Sequence, residues 1–82
     1  ELLARTSSFE IAGPVKRSMT IAGHTTSISL EPLFWAALEA AAREAGLPLS
    51  ALVARIDAAR LEAPSPPNLA SAIRCWLLAR RP

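Results

Sequence analysis

Polar and apolar residues alternate most clearly between Thr25 and Pro32, where the chain reads Thr-Thr-Ser-Ile-Ser-Leu-Glu-Pro. This period of two is typical of a half-buried strand, and helical patterns follow it along the rest of the chain. Because a lone strand leaves its backbone amides without partners, we expect a second copy of the chain to supply an antiparallel strand. A weaker alternation over residues 15–22, followed by a turn at Gly23-His24, is a second strand candidate, and the pattern leaves open which strand pairs. We therefore predict a mainly α fold with one short strand per chain, assembled as a homodimer.

Two helices are predicted directly after this strand, because apolar residues recur there at helical spacing. Pro32 suits the first turn of the first helix, and Gly46 ends that helix. Ser50 is expected to cap the second helix, which runs to about Leu61. The predicted buried stripes of the two helices are Phe34, Trp35, Leu38, Ala41, Ala42 and Ala45, followed by Leu49, Leu52, Val53, Ile56 and Ala59.

The chain divides into an N-terminal arm and one domain. Residues 1–14 show no sustained period and end at a Gly-Pro pair, so we expect them to be mobile or to lie across a partner. Residues 15–82 form the domain, in which the Pro-rich linker 63–67 cannot be helical throughout. After the linker, Asn68 is expected to cap an additional C-terminal helix over residues 68–81. This helix either packs on its own core or presents a surface to another protein.

Composition sets limits on the size and surroundings of this domain. A chain of 82 residues buries a small core, and its 51% hydrophobic residues indicate that apolar surface is also buried between chains. The single cysteine, Cys75, excludes an internal disulfide and favours a reducing, cytoplasmic location. Since Cys75 lies in an apolar helix, we expect a buried and unreactive thiol. No apolar run reaches the roughly 18 residues of a membrane span.

The distribution of charge is compatible with an anionic partner such as nucleic acid. The formal net charge is only +2, and residues 31–62 are net acidic. Positive charge is therefore concentrated before the strand and near the C-terminus. The residues that carry it are Lys16, Arg17, Arg74, Arg80 and Arg81.

The residue groupings required for catalysis or for metal binding are missing from the sequence. His24 is the only histidine, and it has no Cys, His or carboxylate at the spacing of metal ligands. Glu31 and Asp57 are separated by a whole helix and form no acid/base pair. We therefore expect no metal, no cofactor and no enzymatic activity.

The order of strand, helix, glycine turn and helix resembles the ribbon-helix-helix fold of MetJ/Arc-type DNA-binding proteins. Over roughly residues 15–81 the chain is similar to a small alphaproteobacterial family of this fold. The segments that carry the similarity are Lys16-Arg17-Ser18, Ala22-Gly23-His24-Thr25-Thr26-Ser27, Ser29-Leu30-Glu31, Phe34-Trp35, Leu49-Ser50-Ala51-Leu52, Ile56-Asp57 and Asn68-Leu69-Ala70-Ser71-Ala72-Ile73-Arg74. The resemblance implies an obligate homodimer whose paired strands lie in a DNA major groove. It also implies that the protein regulates transcription. The chain departs from the family pattern at Thr25, where a basic residue is frequent, and at Ala70, where Ser is frequent.

Candidate base-reading residues lie on one side of the predicted strand. If Ile28 and Leu30 point into the core, the period of two places Thr25, Ser27 and Ser29 on the opposite face. Their short hydroxyl side chains can donate to base edges or accept from them. The alternative is an ordinary solvated strand face. The predicted dimer core consists of Ile28, Leu30, Phe34, Trp35, Leu38, Leu52 and Ile56.

Candidate phosphate contacts flank this strand. Lys16 and Arg17 precede it and would add salt-dependent affinity for DNA. Ser50 and the free amides around Ala51, at the start of the second predicted helix, can hold a phosphate because a helix N-terminus offers unpaired donors and a favourable dipole. Solvated basic side chains and a simple helix cap are the corresponding alternatives.

Two functional hypotheses follow from the sequence. The first is a homodimeric DNA-binding regulator, such as a repressor or an antitoxin-like autoregulator, that binds double-stranded DNA. The second is an accessory subunit of a larger protein assembly, which docks through the arm and the third helix without contacting DNA. The modest net charge and Thr25 motivate the second hypothesis.

Overall fold

The computed structural model describes residues 11–80, so the predictions for residues 1–10 and for Arg81 lie outside the described part of the chain. Its elements, in chain order, are strands β1 (Val15–Ile21) and β2 (His24–Leu30) and helices α1 (Pro32–Ala45), α2 (Leu49–Leu61) and α3 (Leu69–Ala79). The mainly helical fold with an additional C-terminal helix is confirmed. The number of strands differs from the prediction, because residues 11–80 contain two strands where one was expected.

β1 and β2 form an antiparallel hairpin within one chain. The strands are joined by Ala22 and Gly23, whose φ angles of 52° and 83° are those of a two-residue type I′ turn. His24, predicted to lie in the turn, is instead the first residue of β2 and pairs with Ile21. β1 of the same chain therefore pairs with one edge of β2, so β2 does not need a second copy for a partner strand, and pairing of its other edge with a second copy stays a prediction.

One face of the hairpin packs on the three helices and forms the core with them. From the sheet the core takes Ile21, Ile28 and Leu30, all 5% exposed or less. Trp35 of α1 is the largest side chain in the core, and its indole Nε1–H donates a hydrogen bond of 2.8 Å to the carbonyl oxygen of Val15. Among residues 11–80, no buried side-chain polar atom lacks a hydrogen-bond partner. The remaining core residues are Leu38, Ala41, Ala42, Leu52, Val53, Ile56, Ile73 and Leu77.

The predicted dimer core is largely buried within a single chain. Ile28, Leu30, Trp35, Leu38, Leu52 and Ile56 are each 4% exposed or less, and Phe34 is half-buried. Their burial requires no second copy, because α3 covers the core of its own chain with Ile73 and Leu77. The third helix thus packs on its own core, which is the first of the two alternatives given above. Two predicted stripe residues, Ala45 and Ala59, are exposed.

The helix ends agree with the predictions except at α2. Gly46 ends α1 in the left-handed region, with a φ of 69°. Asn68 caps α3 as expected, because its Oδ1 accepts a 2.8 Å hydrogen bond from the amide of Ser71. Ser50 is not the cap of α2. Pro48 occupies that position, since its carbonyl accepts the first two amide hydrogen bonds of the helix, and Ser50 lies in the first turn instead.

Cys75 is exposed, so the expectation of a buried thiol is wrong. Ile73 and Leu77, two residues to either side, face the core. Because a helix turns about 100° per residue, a position two residues from both of these must point away from the core.

Candidate nucleic-acid interface

The outward face of the hairpin is built entirely from polar side chains. The register pairs Lys16 with Ser29, Ser18 with Ser27 and Thr20 with Thr25. Side chains of directly opposed residues share one face of a sheet, and successive residues alternate between faces. We call this surface the hydroxyl face. It consists of Lys16, Ser18, Thr20, Thr25, Ser27 and Ser29, of which Ser29 is half-buried and the others are exposed.

The structure brings together all three sequence-predicted base-reading residues. Thr25, Ser27 and Ser29 lie on the hydroxyl face, and Ile28 and Leu30 face the core as the period of two required. β1 contributes two further hydroxyl residues, Ser18 and Thr20, that were not among the predicted site residues. The sequence pattern could have identified these two residues. The alternation over residues 15–22 places Arg17, Met19 and Ile21 on one side of the strand and therefore Ser18 and Thr20 on the other.

The backbone N–H and C=O groups of the hydroxyl-face residues lie along the two outer edges of the hairpin. In a β-turn the N–H of the last residue, here His24, bonds to the carbonyl of the first, here Ile21, and bonded and non-bonded pairs then alternate along the ladder. Ser18 and Ser27 therefore form a non-hydrogen-bonded pair, in which opposed side chains lie close. The 3.3 Å separation of their Oγ atoms agrees with this assignment. The backbone N–H and C=O groups of such pairs point outward, away from the partner strand.

The structure separates the two basic residues that precede β2. Lys16 lies on the hydroxyl face and makes no ion pair with any residue in the range 11–80. Arg17 lies on the core face, where its guanidinium sits 4.5 Å from the centre of the Trp35 ring and its Nη1 donates to Glu39 Oε2 at 2.8 Å. Of these neighbours in sequence, only Lys16 shares a surface with the hydroxyl residues.

The start of α2 presents unpaired amides beside a basic side chain. The amides of Leu49 and Ser50 come before the first intrahelical hydrogen bonds, which are donated by Ala51 and Leu52. Arg43 and Glu39 of α1 line the same shallow depression, about 390 Å³ in volume, as Leu49. Arg43 was not among the predicted site residues, because the helical period indicates only that it faces water.

Arg74 of α3 and Arg80, the residue directly after α3, are held by carboxylates of the same chain. Arg74 donates from Nε and Nη2 to Glu31 Oε1, at 3.0 and 2.9 Å. Arg80 donates to Glu44 Oε1 at 2.7 Å. The pKa of Glu31 is lowered, first by a hydrogen bond from its own backbone amide and then by the Arg74 guanidinium. Arg74 and Arg80 thus join α3 to α1, and their charge is already compensated.

Other kinds of site receive no support in the described part of the chain. Residues 11–80 contain no group of three or more His, Cys, Asp or Glu side chains that could hold a metal ion. None of the described helices is both long enough and apolar enough to cross a membrane.

An antiparallel two-stranded ribbon with a polar outward face, followed by helices that pack beneath it, is the arrangement of the class of β-ribbon DNA-binding proteins. The chain matches the family model of the ribbon-helix-helix domain over residues 14–80. It therefore belongs to the ribbon-helix-helix family, which confirms the resemblance seen in the sequence. Domains of this family in general bind DNA as regulators, typically form dimers and are not enzymes. No curated protein and no solved structure matches the chain.

Proposed function

We propose that this protein is a cytoplasmic, homodimeric transcription regulator that inserts a two-stranded ribbon into the major groove of DNA. The hydroxyl face is the observation that carries the proposal. Thr25, Ser27 and Ser29 contact base edges, and Lys16 contacts a flanking phosphate. No cofactor takes part.

The chemistry of the hydroxyl face suits a DNA groove. Its side chains are short hydroxyls that both donate and accept, so a base edge can approach the strand backbone closely. The face carries no carboxylate, and its one charge is the positive charge of Lys16. The opposite side of the hairpin is anchored by Ile28 and Leu30, which are 2% and 0% exposed, so the ribbon is held in a fixed orientation.

Phosphate contacts extend from the ribbon to the start of α2. The unpaired amides of Leu49 and Ser50 can hold a phosphate oxygen, since a helix N-terminus attracts anions. Arg43 lies at a depression beside Leu49 and would add positive charge there, although Glu39 lines the same depression. Arg17 already contacts Glu39 and the Trp35 ring. We therefore assign Arg17 a role in positioning β1 on α1.

The homodimer is part of the proposal, and its interface lies outside the core of each chain. The residues predicted to form a dimer core are already buried by their own protomer, Phe34 only in part. Exposed apolar side chains remain for a second copy to cover, among them Val15, Leu33 and Leu78, which are 45%, 50% and 65% exposed. The mass of the purified protein in solution tests this part of the proposal, and a stable monomer at micromolar concentration would contradict it.

DNA binding is tested by a salt titration with genomic DNA fragments. The wild-type protein is expected to bind at low salt and to lose affinity as salt rises, because phosphate contacts release counterions. The triple variant Thr25→Ala, Ser27→Ala, Ser29→Ala should lose sequence preference, whereas Ser65→Ala in the exposed linker should bind as the wild type does. Absent binding at low salt, or affinity that is independent of salt, would remove the proposal.

An accessory subunit of a protein assembly is the second candidate function. The observation in its favour is that Arg17, Arg74 and Arg80 are all paired with carboxylates of the same chain, which leaves little positive charge for DNA. Copurification separates the two candidates. Recovery of the protein in a larger protein assembly without nucleic acid supports the accessory role, and recovery of a free dimer that shifts DNA contradicts it.

A further inference from the structure

We propose that the N-terminal arm of the chain lies in an apolar groove between α1 and α3 of its own protomer, with Leu2, Leu3 and Phe9 as the side chains that occupy the groove. The proposal goes beyond DNA binding, because it concerns a surface formed by the helices and does not involve the hydroxyl face. It names one occupant for a surface that the described residues leave open.

The groove exposes apolar side chains of two helices to solvent. Its volume is about 430 Å³. Its lining residues are Leu33, Phe34 and Ala37 of α1, Leu77 and Leu78 of α3, and Arg80. Leu33 is 50% exposed and Leu78 is 65% exposed. Large apolar side chains that are exposed together on a small protein indicate a surface that another segment or molecule covers.

The hairpin brings the arm to the end of the molecule where this groove begins. Val15, the first residue of β1, pairs with Leu30, and α1 starts two residues after Leu30. Opposed Cα atoms of an antiparallel pair lie about 5 Å apart, and the chain from Leu30 to Leu33 spans at most about 10 Å. Phe9 precedes Val15 by a stretch of chain that can extend to about 20 Å. The arm is therefore long enough to reach the groove.

The composition of the arm matches the lining of the groove. The first ten residues, which lie outside the described part of the chain, contain three large apolar residues, Leu2, Leu3 and Phe9. Contact between these side chains and the groove removes apolar surface of both from water, which is favourable. None of the described residues that line the groove is acidic. The carboxylates of Glu1 and Glu10 therefore meet no like charge in the lining.

A second copy of the chain is the competing occupant of this groove. If the arm covers Leu33 and Leu78, these two residues are not available to a second copy. The homodimer proposed above must then use other exposed apolar residues, such as Val15. The two occupants make different predictions about concentration, because only a second copy binds in a concentration-dependent way.

The test is a double-mutant cycle in the full chain. The arm variant carries Leu2→Ser, Leu3→Ser and Phe9→Ser, and the groove variant carries Leu78→Ala. The matched control changes polar residues of the same arm, with Thr6→Ala, Ser7→Ala and Ser8→Ala.

Thermal unfolding and alkylation of Cys75 are the two readouts. Cys75 is exposed and lies three residues before Leu78 on α3, so the two side chains are neighbours on the helix surface. An arm in the groove should therefore shield the thiol. We expect the arm variant to lower the thermal midpoint by roughly 4 °C or more. It should also raise the alkylation rate about threefold or more, because the shielding segment is released.

The cycle decides whether the arm and the groove are in contact. In the Leu78→Ala background the arm substitutions should have a clearly smaller effect, since residues in contact show non-additive effects. The polar control should behave as the wild type does. Additive effects, or an arm variant that matches the wild type in both readouts, would overturn the inference.

Protein concentration separates the arm of the same chain from a second copy. Non-additive effects that are the same at low and high protein concentration support the inference. Effects that appear only as concentration rises would overturn it in favour of a second copy on the groove. DNA binding by the wild type is measured separately and decides only the proposed function.

Discussion

At the residue scale, neighbouring side chains of β1 lie on opposite faces of the hairpin and make different contacts. Lys16 and Arg17 carry the same charge and are adjacent in sequence, yet one lies on the hydroxyl face and the other on the Trp35 ring. The ion pair of Arg17 with Glu39 is about 40% exposed on both sides, so it orients β1 more than it stabilises the fold. Residue type alone therefore does not identify a DNA contact in this strand.

A pair of alanine substitutions tests this assignment of tasks. Lys16→Ala should lower the magnitude of the salt slope of DNA binding by about 1 per protomer, because one phosphate contact is lost. Arg17→Ala should leave the slope nearly unchanged and lower the urea midpoint of unfolding, because a contact with Trp35 is lost. The measurements are binding isotherms at several salt concentrations and urea unfolding curves. Equal changes of slope in the two variants would show that Arg17 also contacts phosphate.

At the element scale, the β1–β2 turn determines which residues share the hydroxyl face. A shift of the pairing by one residue would move every side chain of a strand to the opposite face. The turn consists of Ala22 and Gly23, and both have positive φ angles. Gly23 adopts this conformation at little cost, whereas Ala22 is strained by its Cβ atom. The hairpin thus contains one residue well suited to its position and one poorly suited.

Substitutions in the turn should change stability in opposite directions. Ala22→Gly relieves the strain at φ 52° and is expected to raise the thermal midpoint, whereas Gly23→Ala introduces strain at φ 83° and should lower it. A change of about 1 kcal/mol, the typical cost of such strain, corresponds to roughly 4–8 °C in a domain of this size. A Cβ at Gly23 would meet no atom within 4 Å, so backbone strain alone is measured. Lower midpoints for both variants would argue against a type I′ turn.

At the scale of the whole molecule, α3 makes a single chain self-sufficient. Ile73 and Leu77 complete the core, and Arg74 ties α3 to the start of α1 through Glu31. Both partners of this ion pair are about one-third exposed, so its main effect is alignment of the two helices. The protomer therefore has its own packed core, and the proposed dimer would form between protomers whose cores are already buried.

Acid should weaken this link between α1 and α3. Because the pKa of Glu31 is lowered in the folded protein, its contribution to stability is present above the ordinary glutamate pKa of about 4.3. That contribution is lost as pH falls further, through the lowered folded value. We expect the urea midpoint of the wild type to fall in this range, and Glu31→Gln should show a shallower fall.

The matched control for this measurement is Glu62→Gln, which alters a residue with no ion pair among the described residues 11–80. The control should show the same dependence on pH as the wild type. If Glu31→Gln also keeps the full wild-type dependence, the Arg74–Glu31 contact is not maintained in solution.

Local pattern was sufficient for the features that depend on residues close together in sequence. Pro32, Gly46 and Asn68 mark helix ends through their own backbone or side-chain chemistry, and the structure has all three where the sequence predicts them. The alternation around Ile28 likewise predicted the polar and apolar faces of β2. These features needed no knowledge of distant contacts.

Tertiary contacts decided the rest, because those features depend on which distant segments meet. The partner of β2 is β1 of the same chain because a two-residue turn and a shared core bring them together, which a strand pattern alone cannot specify. In the same way Arg17 is held by α1, and the exposure of Cys75 follows from which face of α3 covers the core. Alternation along a strand is a local property of its residues, whereas the identity of its neighbour is set by the packing of the whole chain.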